Sequence, residues 1–243
     1  MSRQVFIGID IATENVRAVA IDAEGNLYGS NNEKLAPVTG GSDKRLTQDP
    51  ASWIAAVSKV LKELATKCKI EGLTPKALCI SATSGTFVIT DSKGVPIADA
   101  AMYNDGRSSS IIGRAEKIIG EANQSGPYLF ANTPEFVIAH LAGVPLSEIA
   151  TDSSHSLKIG LDLASITWNQ PVLDQVQSLK LTLPRLVLPG KKLANISSEI
   201  SKQLGLDQIP IYAGMTDGCT AQISAGGSSG SVTSLGTTMV IKA

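Results

Sequence analysis

The chain has 243 residues, of which 43% are hydrophobic and 18% charged, enough for a buried core in one large domain or in one domain and part of a second. With 21 basic and 22 acidic side chains the net charge is −1, so no electrostatic argument favours a nucleic acid or an anionic membrane as partner. A small neutral ligand fits this balance better. No apolar run approaches the roughly 18–20 residues of a bilayer span, so we expect a cytoplasmic chain.

Three strands are predicted at the start of the chain, at residues 4–11, 16–22 and roughly 27–38. The turn after Asp10 leads directly into the second strand, so it closes a hairpin. The next predicted element is a helix with Asp49 as its N-cap, Pro50 in its first position and apolar side chains at helical spacing from Trp53 to Cys68. The apolar run 77–82 is typical of a buried parallel strand, which completes a β-α-β unit.

The second half of the chain alternates helices with short strands. A strand and hairpin are predicted over 86–94, and helices over 108–121, from Asn132 to Leu141, near 171–178 and near 195–204. A strand at 209–213 ends shortly before Asp217. The Gly- and Ser-rich stretch 226–230 indicates a hinge, and the alternation over 231–243 indicates a β-hairpin.

Three turns that contain glycine follow apolar runs and carry polar groups suited to phosphate chemistry. Phosphoryl transfer requires donors that hold the phosphates, a metal ion and a carboxylate that accepts a proton. The sequence has no Gly-x-x-x-x-Gly-Lys-Ser/Thr stretch, so a P-loop does not hold the phosphates. Two hairpin turns offer backbone N–H groups and hydroxyls instead, one at Thr13 and one at Gly236, Thr237 and Thr238.

Five motifs occur in a fixed order: Gly8-Ile9-Asp10, Asp49-Pro50-Ala51-Ser52-Trp53, Asn104-Asp105-Gly106-Arg107-Ser108, Gly214-Met215-Thr216-Asp217-Gly218-Cys219-Thr220-Ala221 and Leu235-Gly236-Thr237-Thr238. In this order they make the chain resemble the amino-terminal part of the FGGY carbohydrate kinases, nearest the xylulokinase-like and ribulokinase-like members, within the actin-like ATPase superfamily. The resemblance implies an α/β fold: a ribonuclease H-like domain with a mixed central sheet flanked by helices. It further implies that residues 1–230 bind the sugar and that 231–243 open a nucleotide-binding domain that is otherwise missing.

The resemblance also implies ATP and Mg²⁺ as cofactors and a small sugar as substrate. It assigns Asp217 as the general base for the sugar hydroxyl, and Asp10 as a sugar contact that holds Mg²⁺ through water. Thr13, Gly236, Thr237 and Thr238 would hold the nucleotide phosphates. From the residues alone, structural roles stay open, because Asp10 could stabilise its own turn and Asp217 could cap a helix.

The predicted sugar pocket comprises Thr83, Ser84, Asn104 and Asp105. Many xylulokinases have Gly-Gln-Met-His where this chain has Ala82-Thr83-Ser84-Gly85, so we expect a pocket of different shape that favours D-ribulose over D-xylulose. The hydroxyls at 83 and 84 could bind a polyol or belong to an ordinary turn. The Asn104 turn could face the sugar or, through Arg107, attach to the next helix.

Several residues and functions remain as alternatives. His140 is interpreted as a partly buried helix residue, and neither it nor His155 is given a role. The cysteines, at positions 68, 79 and 219, are expected to be buried thiols of a reducing compartment. Besides a sugar kinase, the chain could be an ATP-gated binding module or a non-catalytic sugar sensor. The Asp49 and Asn104 motifs favour the kinase over the first, and the pair Asp10 and Asp217 favours it over the second.

Overall fold

The computed structural model describes residues 2–122, 125–226, 232–235 and 239–242, the last two ranges as backbone only. Its strands are β1 (Arg3–Ile11), β2 (Asn15–Ile21), β3 (Leu27–Lys34), β4 (Thr39–Gly40), β5 (Leu46–Gln48), β6 (Leu73–Ala82), β7 (Phe87–Asp91), β8 (Ala100–Ala101), β9 (Tyr128–Asn132), β10 (Thr151–Asp152), β11 (Leu161–Asp162), β12 (Thr167–Trp168), β13 (Leu181–Thr182), β14 (Leu186–Val187), β15 (Lys192–Asn195), β16 (Pro210–Thr216), β17 (Val232–Leu235) and β18 (Met239–Lys242). Its helices are α1 (Ala51–Ile70), α2 (Ile111–Glu121), α3 (Thr133–Ala142), α4 (Ser153–Ser156), α5 (Gln170–Ser178), α6 (Ser198–Leu204) and α7 (Asp217–Ser224), with a 3-10 helix at Leu146–Glu148.

The main sheet has six strands in the order β15-β16-β6-β1-β2-β3. Its three central strands, β16, β6 and β1, run parallel, whereas β2, β3 and β15 are antiparallel to their neighbours. The register pairs Asp10 with Ser81 and Thr216 with Ala82, so the carboxyl ends of the three parallel strands lie at one edge. The predicted mixed sheet and β-α-β unit are confirmed.

Helix α1 covers one face of the main sheet. Alternate residues of β1, from Val5 to Ile11, are buried on that face, as the period of two requires. The helix buries Trp53 and Leu64 among others, and Trp53 meets Phe136 of α3 edge to face. The helix begins one residue later than predicted, with Pro50 and not Asp49 as its N-cap residue. Oδ1 of Asp49 still accepts a hydrogen bond from the N–H of Ala51, the first helical residue, at 2.9 Å.

A second sheet, in the order β13-β9-β7-β8-β5-β4, encloses a separate core with α2 and α5. Phe87 and Phe130 stack at its centre with ring centroids 4.9 Å apart. Strand β9 was not predicted from the sequence. The chain passes from the main sheet to this sheet at residues 83–86, directly after β6.

Smaller differences from the prediction concern helix ends and exposure. Helix α2 begins at Ile111 rather than 108, because the hydroxyl of Ser110 caps it through the N–H of Gly113. His140 is exposed rather than partly buried. Of the three cysteines predicted to be buried, Cys68 is buried, Cys79 is exposed and Cys219 is partly exposed. The hairpin predicted near the end of the chain is present as β17 and β18. The predicted hinge lies, apart from Gly226, outside the described residues.

Candidate active site

The candidate site lies where β1, β6 and β16 end side by side. Asp10 lies near the end of β1, Thr83 directly follows β6, and Asp217 directly follows β16 as the first residue of α7. In open α/β sheets, ligands bind at the carboxyl ends of the parallel strands. The three residues, predicted separately from the sequence, therefore share the carboxyl edge of the main sheet.

Asp10 forms an ion pair across the first hairpin, with its Oδ2 3.1 Å from Nη1 of Arg17. Burial raises the pKa of Asp10, the Arg17 charge lowers it, and the negative charge of Asp217 raises it again, so the net shift is upward. The charge of Asp217 therefore reaches Asp10 at this edge. The Asp10 carboxylate thus contacts a side chain on the opposite strand of the hairpin. The alternative role considered from the sequence was to stabilise its own turn.

Thr13 lies in the turn of the first hairpin, which α1 holds through Gln48. Nε2 of Gln48 donates to the carbonyls of Thr13 at 3.0 Å and Ala36 at 2.6 Å. Its Oε1 accepts from the indole N–H of Trp53 at 2.8 Å. The tryptophan of the Asp49-Pro50-x-x-Trp53 motif thus positions the turn through one intermediate side chain. Gln48 was not among the residues predicted for the site.

Asp217 is exposed in the first turn of α7, and Thr216 rather than Asp217 is the N-cap residue. Oδ1 of Asp217 accepts from the N–H of Gly218 at 2.6 Å. A β-bulge precedes it, because the register advances from Ala213 to Thr216 on β16 while it advances from Ile80 to Ala82 on β6. At Gly214 within the bulge, a Cβ would lie 2.0 Å from the carbonyl oxygen of Ile80, so no other residue fits this backbone.

The turn over residues 83–86 places Thr83 and Ser84 partly exposed beside the first hairpin. A cavity of about 10 Å³, room for about one water molecule, is lined among others by Thr13, Gln48 and Thr83. This cavity is therefore too small to hold a sugar. Gly85 has φ +91°, and Nζ of the exposed Lys158 lies 3.4 Å from the Ser84 carbonyl.

The turn at 104–108 is attached to its surroundings through Asp105. The Asp105 carboxylate is buried, pairs with Arg107 at 2.9 Å and accepts from the N–H of Leu46 at 3.0 Å. Burial raises the pKa of Asp105, but the hydrogen bonds of Arg107 and Leu46 outweigh it, so the net shift is downward. Arg107 thus has a structural contact within its own turn, and Asn104 is the exposed member of the pair predicted to bind sugar, whereas Asp105 is buried.

Gly236, Thr237 and Thr238, the predicted second phosphate turn, lie outside the described residues. The described residues contain no group of three or more His, Cys, Asp or Glu side chains placed to share a metal ion. A Mg²⁺ site at Asp10 does not need such a group, because magnesium usually takes one or two carboxylates and keeps several waters. The exposed Asp217 and the partly exposed Asp10 fit that donor set.

Sequence reasoning missed a buried polar cluster behind the strand ends. Asp152, Ser154 and His155 are all buried, with the His155 ring 2.5 Å from the Asp152 carboxylate. Glu135 of α3 is near enough for the His155 charge to affect it. The one local signal for this cluster was the spacing Asp152-x-x-His155, because an N-cap aspartate can contact the residue three positions later in the first turn of a helix.

Comparisons with known proteins agree with this architecture. Residues 5–128, about half of the chain, match the family described as "FGGY family of carbohydrate kinases, N-terminal domain". The xylulose kinase of Staphylococcus epidermidis is 26% identical over 252 residues, which cover 93% of this chain and 50% of that protein. The chain spans about half the length of the curated relatives it matches.

Solved structures show the same fold at lower identity. The xylulose kinase of Rhodospirillum rubrum has a TM-score of 0.79 at 18% identity, over 91% of this chain and 52% of that one. The glycerol kinase of Plasmodium falciparum, solved with ADP, has a TM-score of 0.77 at 17% identity, over 93% and 51%. The fold is therefore that of the actin-like ATPases, as the motifs implied.

The family match is more specific than the fold. The chain belongs to the FGGY family of carbohydrate kinases and contains its N-terminal domain. Within the described residues, no helix is both long and apolar enough to cross a bilayer.

Proposed function

We propose that this chain is the sugar-binding part of an ATP-dependent kinase that phosphorylates a ketopentose. The observation that carries the proposal is that Asp10 and Asp217 both lie at the carboxyl edge of the main sheet, where the negative charge of Asp217 contributes to the raised pKa of Asp10. If Asp217 only stabilised the start of α7 and Asp10 only formed the hairpin ion pair, the two carboxylates would not need to lie at the same edge of the sheet. The family match supports a sugar as the acceptor.

In the proposed reaction Asp217 accepts the proton of the attacking sugar hydroxyl. Its exposed position in the first turn of α7 leaves the carboxylate open to a ligand at the edge. A base of this kind need not be strongly basic, because alignment and charge neutralisation supply most of the catalysis. Thr83 and Ser84, at the end of β6, would hydrogen-bond the sugar together with the exposed Asn104 on the neighbouring turn. The Asp105 carboxylate, predicted as a further sugar contact, is buried against Arg107 and would instead hold that turn in place.

Mg-ATP would bind beside the first hairpin. Asp10 would hold the ion through water, and the ion would neutralise charge on the phosphates. Arg17 contacts Oδ2 of Asp10, so the ion would use the other oxygen or displace the guanidinium. The backbone and hydroxyl of Thr13 would contact phosphate, and Gly236, Thr237 and Thr238 would do so from the second hairpin.

We further propose that residues 1–230 form the sugar domain and that 231–243 open a nucleotide-binding domain. The paired strands β17 and β18 and the half-length match to relatives support this division. D-Ribulose is proposed ahead of D-xylulose because Gly85 leaves this part of the pocket without a side chain. The relatives are named xylulose kinases, so both sugars belong in the test.

The test uses a polypeptide that joins this chain to the proposed second domain. ADP release is measured with D-ribulose, D-xylulose, glycerol and no sugar, for the parent and for Asp217→Asn. We expect ADP release that depends on a pentulose and a kcat about 10²–10⁴-fold lower in the variant, with sugar KM retained. Asp207→Asn, an exposed aspartate away from the edge, is the matched control and should leave kcat unchanged.

The alternatives predict different outcomes in the same assay. ATP hydrolysis that is indifferent to every sugar would indicate an ATP-gated binding module. Sugar binding by calorimetry without ADP release would indicate a sensor. Turnover unchanged by Asp217→Asn would remove Asp217 from the mechanism.

A further inference from the structure

We infer that Asp152, Ser154 and His155 form a buried tether that positions the ends of β6 and β16, and with them Thr83 and Asp217, for the reaction. The inference rests on the proposed function. None of the three residues reaches the open edge, so they would act through the strand ends and not on the substrate.

The first arm of the tether runs from Asp152 to the residue before the proposed base. Oδ1 of Asp152 accepts from the hydroxyl of Ser154 at 2.5 Å, and that hydroxyl accepts from the N–H of Thr216 at 2.9 Å. The β-bulge interrupts the ladder between β16 and β6 just before Thr216. A side-chain oxygen from α4 thus supplies an acceptor where the sheet is irregular.

The second arm runs from the same carboxylate to β6. Nδ1 of His155 lies 2.5 Å from Oδ2 of Asp152, and Nε2 lies 3.3 Å from the carbonyl oxygen of Ala82. A carboxylate and a carbonyl only accept hydrogen bonds, so both ring nitrogens donate and the ring is an imidazolium. His155 is fully buried, and its charge is matched by that of Asp152.

Both arms end at the same pair of facing residues on β6 and β16. Ala82 and Thr216 are register partners, and each immediately precedes a proposed site residue, Thr83 and Asp217. One carboxylate therefore fixes the relative position of the sugar turn and the base. Small displacements between such groups are costly to kcat, because proton transfer requires hydrogen-bond distances.

Two serines on α4 allow a matched test. Ser154 and Ser156 are both buried and both bond to Asp152, Ser156 through its hydroxyl to the Asp152 carbonyl at 2.8 Å. Ser154 alone among the two contacts Thr216. Ser154→Ala and Ser156→Ala therefore each remove one buried hydroxyl, but only the first breaks the link to β16.

The experiment measures kcat and sugar KM in the joined polypeptide, the urea midpoint, and amide hydrogen exchange at Thr216. For Ser154→Ala we expect a kcat at least 10-fold lower, a KM within twofold and Thr216 exchange at least 10-fold faster. For Ser156→Ala we expect kcat and Thr216 exchange within twofold of the parent, at a similar loss in urea midpoint. His155→Gln should lower kcat likewise with KM retained.

Equal kcat values for the two serine variants, or Thr216 exchange unchanged in Ser154→Ala, would overturn the inference. A parent polypeptide without sugar-dependent ADP release would refute the proposed function itself. In that case the exchange rate of the Thr216 amide still reports whether the tether exists, so the two failures are distinguishable. A protected Thr216 amide would then indicate that the tether is a purely structural contact.

Discussion

Replacing Gln48 with alanine should lower the free energy of unfolding by about 3–5 kcal/mol. The side chain is 1% exposed and makes three hydrogen bonds, of 2.6, 2.8 and 3.0 Å, that link α1, the first hairpin and residue 36. The two bonds to backbone carbonyls contribute a net of about 0.5–1.5 kcal/mol each. The indole N–H of Trp53, itself 1% exposed, would lose its acceptor, and an unsatisfied buried donor costs about 1–3 kcal/mol.

A double-mutant cycle separates the bond to Trp53 from loss of packing. Trp53→Phe removes the indole donor, and Gln48→Met keeps most of the side-chain volume without the amide. The two single changes should be non-additive, with a coupling energy of about 1 kcal/mol. Urea unfolding followed by far-UV circular dichroism measures each variant.

The reasoning would be refuted by a Gln48→Ala variant that loses less than about 1 kcal/mol, or by strictly additive effects in the cycle. Either result would mean that α1 does not hold the Thr13 turn through Gln48. Ser52→Ala provides a comparison, because its hydroxyl bonds only locally, to the Asp49 carbonyl at 2.6 Å, and contacts neither the hairpin nor the indole.

Three further outcomes follow from the site. Asp10→Ala should raise the Mg²⁺ concentration for half-maximal ADP release, because phosphate charge is less neutralised; a Mg²⁺ titration identical to the parent would contradict it. Burial raises the pKa of Glu135 to about 7, against 4.5 for the ordinary carboxyl. As the pH rises, the unfolded state therefore loses this proton at a lower pH than the folded state does. Stability should therefore fall by about 3 kcal/mol between pH 4.5 and 7, and Glu135→Gln should flatten this slope in urea unfolding from pH 4 to 8. Gly85→Ala should lower stability by roughly 1–2 kcal/mol in urea unfolding, because φ is +91° while an added Cβ meets atoms only at 3.8 Å; a much larger loss would indicate a steric clash.

The fold was predictable where local signals agreed. Asp49 and Pro50 with helical apolar spacing specify α1, and the apolar run 77–82 specifies the end of β6. Helix α3 carried its own signal in Asn132, Thr133 and Pro134. Strand β9 had no such signal, because it is defined by its antiparallel pairing with β7.

Only the site residues that lie at the ends of strands could be predicted from the sequence. Asp10, Thr83 and Asp217 each follow or end an apolar run, so the sheet brings them to one edge. Ser154 and His155 could not be placed in this way, because their partners lie 62 and 73 residues away along the chain. Gln48 could not be predicted for the same reason, because it lies 35 residues from its partner Thr13 along the chain.

The bulge in β16 determines on which face of the sheet the strand presents its last residues. Side chains alternate along a strand, so one extra residue exchanges the two faces for everything that follows. Ala213 and Thr216 lie opposite Ile80 and Ala82, whereas an even strand would have placed Met215 opposite Ala82. Deleting one residue at 214 or 215 would retain Asp10, Thr83 and Asp217 and yet turn Asp217 toward the opposite face. Any attempt to transplant this site onto another parallel sheet must therefore carry the extra residue, and the glycine that admits it, along with the carboxylate.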